Sequence, residues 1–282
     1  MSHNDEIRKA VSNSYARAVE ATRSSGPSCC CSGPSPQGAV AALASYDRQA
    51  LASLPPDAVL SSFGCGNPVV LGEIREGDTV LDLGSGAGID VLLAAKLAGP
   101  SGKVIGIDMT PAMIERAKAN AIAAGLTNVE VREGIIEDLP VDSASVDLVI
   151  SNCVINLSPE KQRVFAEIQR VLKPGGRFSI SDIVAESLPE WIKELSLLYS
   201  ACVSGAITED EYLAGLREVG LADVTVRDRL TYDSAQLAAL LDSEQAGSCC
   251  CGSEALPREQ VIRVADALAG SVASIQVVGR KP

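Results

Sequence analysis

From Thr79 onward, short apolar runs alternate with helix-forming sequence, and this alternation constrains the fold more than any other feature. The predicted strands are Thr79–Leu83, Lys103–Asp108, Val129–Val131, Val146–Ser151, Arg177–Ile183, Asp223–Leu230 and Ser274–Val278. The predicted helical stretches are Ile89–Leu97, a helix from Pro111, Pro159–Leu172 and Leu188–Val219. Strands that alternate with helices form a mostly parallel sheet covered on both faces. The sequence therefore predicts an α/β fold in which the last two strands form an antiparallel edge.

The segment before this series has a different pattern. Spaced apolar positions predict a helix over Ile7–Ala21 and a second over Val40–Leu54, which ends at Pro55-Pro56. We expect an N-terminal helical cap with a cysteine-containing loop over residues 1–70 and an α/β core over 71–185. Residues 186–282 are expected to add a helical insertion and the closing edge strands.

Composition narrows the kind of partner. A formal net charge of -12 argues against nucleic acid or an anionic membrane, because both are held by clustered Lys and Arg. The first residues are polar, and no apolar run reaches the roughly 18 residues that a membrane span needs. We therefore expect a cytoplasmic protein whose ligand is a small molecule.

A glycine-rich loop joins the first predicted strand to its helix, with the sequence Gly84-Ser85-Gly86-Ala87-Gly88. Glycines allow a sharp turn and let a ligand approach the backbone closely. Asp108 ends the next strand, where a carboxylate can accept hydrogen bonds from both ribose hydroxyls of a nucleoside. The alternative is that Asp108 only caps the helix that begins at Pro111.

The sequence of these loops resembles that of the class I S-adenosylmethionine-dependent methyltransferases over about residues 75 to 230. The matching motifs are Asp82-x-Gly-x-Gly-x-Gly, Gly106-Ile107-Asp108, Gly134 to Pro140, Val146 to Ser151 and Leu172 to Gly176. The resemblance implies a Rossmann-like, seven-stranded sheet and S-adenosylmethionine as cofactor. It places Gly84, Ser85, Gly86 and Asn152 around the methionine part, Asp108 and Met109 at the ribose, and Ile136 and Glu137 at the adenine. Asp82 is also expected among the cofactor-binding residues. For Glu137 the alternative is a solvated loop charge.

Nine cysteines accompany a single histidine, His3. The runs Cys29–Cys31 and Cys249–Cys251 lack the spacing of zinc or thioredoxin-type motifs. Cys65, Cys153 and Cys202 stand alone, and burial in a core is the ordinary explanation for such residues. However, Phe63-Gly64-Cys65-Gly66, Asn152 to Leu157, and Tyr199 to Ala206 together resemble the arsenite S-adenosylmethionine methyltransferases.

That resemblance implies four functional cysteines, namely Cys65, Cys153, Cys202 and one of Cys29 to Cys31, for which we take Cys31. It places trivalent arsenic, supplied as arsenite or its thiol conjugates, on Cys65, Cys153 and Cys202. Thiolates suit this soft centre, and its lone pair can take the methyl group without a general base. Thioredoxin or glutathione is the implied reductant, used as co-substrate.

Two other classes of protein remain open. A small-molecule C- or O-methyltransferase would use the glycine loop and Asp108 but would need none of the three solitary cysteines. A non-catalytic metalloid-binding protein would need only the thiols and would leave Asp82, Gly84 and Asp108 unexplained. The second triplet, Cys249–Cys251, is either exposed sequence without a role or a site that captures arsenite.

Overall fold

The computed structural model describes residues 3–24, 51–52, 54–60, 66–193, 202–245 and 256–282. Its sheet has seven strands: β1 (Thr79–Leu83), β2 (Lys103–Asp108), β3 (Val129–Glu133), β4 (Val146–Asn152), β5 (Leu172–Ala185), β6 (Ala222–Thr231) and β7 (Val272–Arg280). The order across the sheet is β3-β2-β1-β4-β5-β7-β6. Strands β1 to β5 pair in parallel, and β7 runs antiparallel to both β5 and β6. The predicted fold class and antiparallel edge are confirmed.

The helices that the structure describes lie before, between and after these strands. They are α1 (His3–Ser24), α2 (Pro56–Leu60), α3 (Pro68–Leu71), α4 (Ile89–Ala98), α5 (Pro111–Ala123), α6 (Lys161–Val171), α7 (Glu190–Lys193), α8 (Glu209–Glu218), α9 (Ser234–Gln245) and α10 (Arg258–Leu268). The predicted N-terminal helix is present and longer than Ile7–Ala21. Most of the predicted Val40–Leu54 helix falls outside the described residues. None of the described helices is long and apolar enough to cross a membrane.

The two faces of the sheet are buried in separate apolar clusters because successive strand residues point to opposite faces. Val80 packs into a cluster with the residues of α4, whereas Leu81 and Leu83 pack with Phe165 of α6 and Leu216 of α8. A sheet covered on both faces shows near-continuous apolar strands, as β1 and β4 do. This packing holds the carboxyl ends of the parallel strands together at one edge.

Several predicted boundaries were wrong. The Lys173 to Gly176 segment was expected to separate a helix from the strand beginning at Arg177, but β5 already begins at Leu172. The β4–β5 register shifts between Val146 and Leu148, so the extra residues are absorbed as a bulge. The sequence pattern shows a turn motif but not that a neighbouring strand continues to pair through it.

The region after β5 also differs from the expectation. The predicted helical stretch Leu188–Val219 contains the short α7 and α8, and Cys202 lies in a turn between them rather than in a helix. Helices α9 and α10 flank the second cysteine triplet, where only a polar loop was expected. Their apolar residues, including Leu237 and Val264, join the cluster that contains Cys153 and Cys202.

Candidate active site

A cavity opens at the carboxyl ends of β1, β2 and β4. Its empty volume, counted together with the solvent space at its mouth, is about 940 Å³. Cavities of this size at this edge of a doubly wound sheet hold small ligands and cofactors. The lining includes most of the residues predicted for the cofactor: Gly84, Ser85, Gly86, Asp108, Met109, Ile136, Glu137 and Asn152. Asp82 is buried beneath it, and Cys153 forms part of its wall.

The glycine loop approaches the neighbouring loop so closely that a side chain would not fit. Gly84 has φ +67°, and a Cβ at this position would lie 2.8 Å from Cβ of Val154. The positive φ favours glycine because other residues rarely adopt this backbone conformation. The close approach of Val154 independently leaves no room for a Cβ. The loop thereby packs against the loop that contains Val154 and borders the cavity.

Asp108 accepts two backbone hydrogen bonds at the floor of the cavity. Gly86 N donates to Oδ2 over 2.9 Å, and Thr110 N donates to Oδ1 over 2.8 Å. The N-cap residue of α5 is Thr110 rather than Asp108. Burial raises the pKa of Asp108, and the backbone amides partly oppose this increase. The carboxylate is thus fixed between the glycine loop and α5, facing the cavity at the position predicted for a ribose.

Three carboxyl groups lie in or beneath the cavity. Burial raises the pKa of Asp82 well above its usual value, and the neighbouring carboxylates of Asp90 and Asp108 raise it further. Asp90 is 5% exposed and lines the cavity. Such a group is costly unless a positive charge compensates it. The arrangement therefore suits a ligand that carries positive charge.

Glu137 is held from two sides. It is 4% exposed, so the solvated-charge alternative is wrong. Ser158 Oγ donates to Oε1 over 2.6 Å, and Arg8 Nε donates to the same oxygen over 3.2 Å. Arg8 also pairs with Glu160. Arg8 and Ser158 both line the cavity and were missed from sequence, because an ion pair across 129 residues leaves no local pattern.

Cys153 and Cys202 lie in contact although 49 residues separate them. The thiol of Cys202 donates to the carbonyl oxygen of Cys153 over 2.7 Å, and Cys153 N donates to Ser181 O over 2.8 Å. Both cysteines have left-handed backbone, with φ +54° at Cys153 and +59° at Cys202. This conformation costs about 1–3 kcal/mol for residues other than glycine and concentrates at functional sites.

The redox states of these two cysteines differ. The thiol of Cys202 is buried and takes part in no disulfide, whereas Cys153 is disulfide-bonded. Cys31, Cys65 and the second triplet also lie outside the part that the structure describes. Among the described residues, no group of three His, Cys, Asp or Glu side chains is placed to hold a metal ion. The structure thus brings together two of the three cysteines predicted to bind arsenic.

A buried polar network lies behind the cysteines. Asp182 accepts hydrogen bonds from Asn156 Nδ2 over 2.9 Å and from the Tyr212 hydroxyl over 3.1 Å. Lys161 Nζ donates to the carbonyl oxygens of Asn156 and Ser158 over 3.3 and 3.0 Å. Burial lowers the pKa of Lys161, and attraction to Asp182 and to Cys202 opposes this decrease. The network fixes the turn that follows Cys153.

Comparison with known proteins agrees with this geometry. A family model described as a methyltransferase domain matches residues 74–220. The arsenite methyltransferase of Halobacterium salinarum is 42% identical over 235 residues, which are 79% of this chain and 59% of that protein. That of Mus musculus is 34% identical over 249 residues, 84% of this chain and 64% of that protein. The chain thus spans about three fifths of the length of these curated relatives.

Among solved structures, an arsenic(III) S-adenosylmethionine methyltransferase from Chlamydomonas reinhardtii superposes with a TM-score of 0.63 at 35% identity. The match covers 83% of this chain and 72% of that chain. The sheet order and the cavity define a class I S-adenosylmethionine-dependent methyltransferase. Within that class, the chain belongs to the arsenite methyltransferase family.

Proposed function

We propose that this chain methylates trivalent arsenic with S-adenosylmethionine as the methyl donor. The observation that carries the proposal is that Cys153, in the wall of an acidic cavity, contacts Cys202, and both have left-handed backbone. Neither a C- nor an O-methyltransferase needs two strained cysteines there. A metalloid-binding protein without activity would not need the buried carboxylates.

The cavity fits the proposed cofactor by charge. S-adenosylmethionine supplies a methyl group on a positively charged sulfonium. The carboxylates of Asp82, Asp90 and Asp108 would compensate a cationic ligand. The buried hydroxyl of Ser85 has no hydrogen-bond partner in the part of the chain that the structure describes, and it can receive one from the ligand. Asp108 would hold the ribose, and Ile136 and Glu137 would contact the adenine.

In the proposed reaction, the thiolates of Cys65, Cys153 and Cys202 hold arsenic with its lone pair toward the methyl group. The As–C bond forms with both electrons from arsenic as the S–CH₃ bond breaks, so arsenic passes from the trivalent to the pentavalent state. No proton has to be removed, and positioning supplies the acceleration. Two thiols that form a disulfide return two electrons to arsenic, and thioredoxin or glutathione then reduces this disulfide.

The state of Cys153 bears on this cycle. A cysteine in a disulfide cannot bind arsenic, so the form seen here would be the one that awaits reduction. We expect arsenite binding to require prior reduction of the protein. Cys31 is proposed as a member of the reducing set, and thioredoxin as the partner that acts on it.

The experiment is to incubate the reduced protein with S-adenosylmethionine, arsenite and a thiol reductant, and to separate the arsenic species by chromatography with elemental mass spectrometry. Wild type should yield methylated arsenic. Cys153→Ser and Cys202→Ser should each lose at least tenfold in rate while cofactor affinity, measured by calorimetry, stays within about twofold, because each removes a proposed arsenic ligand and leaves the residues proposed to hold the cofactor in place.

Asn128→Ala is the matched control for this series. Its side chain donates two structural hydrogen bonds, to Ala95 O and Gly99 O, away from the cavity. It should methylate arsenite like wild type. Absence of methylated arsenic from wild type with intact cofactor binding would refute the proposal, and normal methylation by Cys153→Ser would refute that ligand assignment.

A further inference from the structure

The side chain of Asn152 makes three hydrogen bonds that join different parts of the site. Its Nδ2 donates to Gly66 O over 2.8 Å and to Asp90 Oδ2 over 3.1 Å. Its Oδ1 accepts from Gly66 N over 3.2 Å. The amide therefore matches both backbone groups of Gly66, a pairing that needs a donor and an acceptor on one planar group and that a carboxylate or a hydrocarbon cannot reproduce.

One end of this connection lies in the cofactor cavity. Asp90 is buried at the start of α4, lines the cavity and interacts with the carboxylate of Asp82. A cationic ligand changes the electrostatic field at Asp90 when it binds. The strength and the geometry of the hydrogen bond from Asn152 to Asp90 depend on that field.

The other end lies at the thiols. Asn152 directly precedes Cys153, whose amide is held by Ser181 O and whose carbonyl oxygen receives the Cys202 thiol. Gly66, which directly follows Cys65 in sequence, packs against Ser181 so tightly that a Cβ would lie 2.6 Å from Cβ of that serine. Asn152 and Ser181 are cross-strand neighbours in β4 and β5. These contacts make the Gly66 backbone and the Cys153 backbone one unit.

We propose that Asn152 is a positioning residue that couples the methyl-donor site to the thiol site, so that occupation of either site raises the affinity of the other. The inference rests on the proposed function and adds cooperativity between the two sites. The protein binds arsenic most tightly when the donor is present. By linkage, the donor is held more tightly by the same factor when arsenic is present. The coupling passes from Asp90 through the amide to Gly66 and Cys153.

The test measures the binding of phenylarsine oxide, a trivalent arsenical, to the fully reduced protein by calorimetry, with and without saturating sinefungin. This cofactor analogue carries a protonated amino group where the donor carries its sulfonium and has no transferable methyl group, so the positive charge is kept and binding is measured without reaction. In wild type we expect sinefungin to lower the Kd of the arsenical by about fivefold or more, within the usual range of coupling between sites. The reverse titration should give the same factor.

Two variants isolate the amide. Asn152→Ala removes all three hydrogen bonds, and Asn152→Asp keeps an acceptor for Gly66 N but loses both donated bonds and repels Asp90. The coupling factor is the Kd of the arsenical without the cofactor analogue divided by its Kd with the analogue. Each Asn152 variant should reduce this factor to about one. Asn128→Ala, which removes a structural amide elsewhere, should keep the wild-type factor. A purely structural role would weaken each affinity and leave the ratio of Kd values unchanged.

The possible results distinguish failure of this inference from failure of the proposed function. Loss of the coupling factor in both Asn152 variants supports the inference. A wild-type factor of one, or an unchanged factor in a folded Asn152 variant, overturns it while arsenical and cofactor binding still support the proposed function. Failure of wild type to bind the arsenical at all overturns both. If Asn152→Ala does not fold, Asn152→Asp decides by the same ratio.

Discussion

At the scale of single residues, the site contains ionisable groups that are costly to bury. Asp182 has no exposed surface, and burial raises its pKa to about 6 despite hydrogen bonds from Ile183 N and Tyr212. Its partner Asn156 belongs to the turn that follows Cys153. Through this hydrogen bond, Asp182 fixes the turn and thereby the position of Cys153.

Asp182 makes a prediction about pH and stability. The pKa of an unfolded aspartate is about 3.9, so the folded state binds more protons than the unfolded state between about pH 4 and 6. This group's contribution to the free energy of unfolding therefore decreases as pH rises through that window. Asp182→Asn abolishes the titration. The free energy of unfolding of the variant minus that of wild type should increase by about 2 kcal/mol from pH 4 to 6 and level off near pH 7 after a total increase of up to about 3 kcal/mol.

The measurement is urea unfolding at a series of pH values, with the exposed Asp228→Asn as the matched control. The difference between Asp228→Asn and wild type should lack this increase. A difference between Asp182→Asn and wild type that is constant across the window would contradict the proposed titration of Asp182.

At the scale of secondary-structure elements, α1 is the element whose role was least visible in the sequence. Arg8, Val11 and Tyr15 of this helix line the cavity, so α1 forms its outer wall. The helix is attached there through Arg8, which pairs with Glu137 and Glu160. A helical cap was expected, but amphipathic spacing shows only that a helix has a buried face and not what that face covers.

The attachment of α1 predicts how fast the cofactor leaves. Arg8→Gln removes the cation that compensates buried Glu137 and should weaken the hold of α1 on the cavity. We expect the dissociation rate of S-adenosylhomocysteine, followed by stopped-flow displacement, to increase about tenfold. Lys9→Gln removes a cation from the exposed side of the same helix and should leave the rate unchanged. Equal rates in the two variants would contradict a role of Arg8 in retaining the cofactor.

At the scale of the whole molecule, strand and helix periodicity was enough to predict the sheet, its antiparallel edge and the position of the glycine loop. These features follow from local patterns: apolar strands, a Gly-x-Gly turn and Pro111 at the start of a helix. The pairs Arg8–Glu137 and Asn152–Gly66 were not predictable, because their members lie 129 and 86 residues apart and nothing local requires them. The left-handed backbone of Cys153 and Cys202 was also invisible, since tertiary contacts impose it.

We propose above that cysteine thiolates of this chain hold trivalent arsenic beside the methyl donor. X-ray absorption at the arsenic edge, recorded on the reduced protein with one equivalent of arsenite and saturating S-adenosylhomocysteine, identifies the atoms bound to arsenic. We expect three sulfur atoms bound to arsenic in wild type and the loss of one sulfur in Cys153→Ser and in Cys202→Ser. A first shell of oxygen atoms in wild type, or an unchanged sulfur count in both variants, would contradict this proposal.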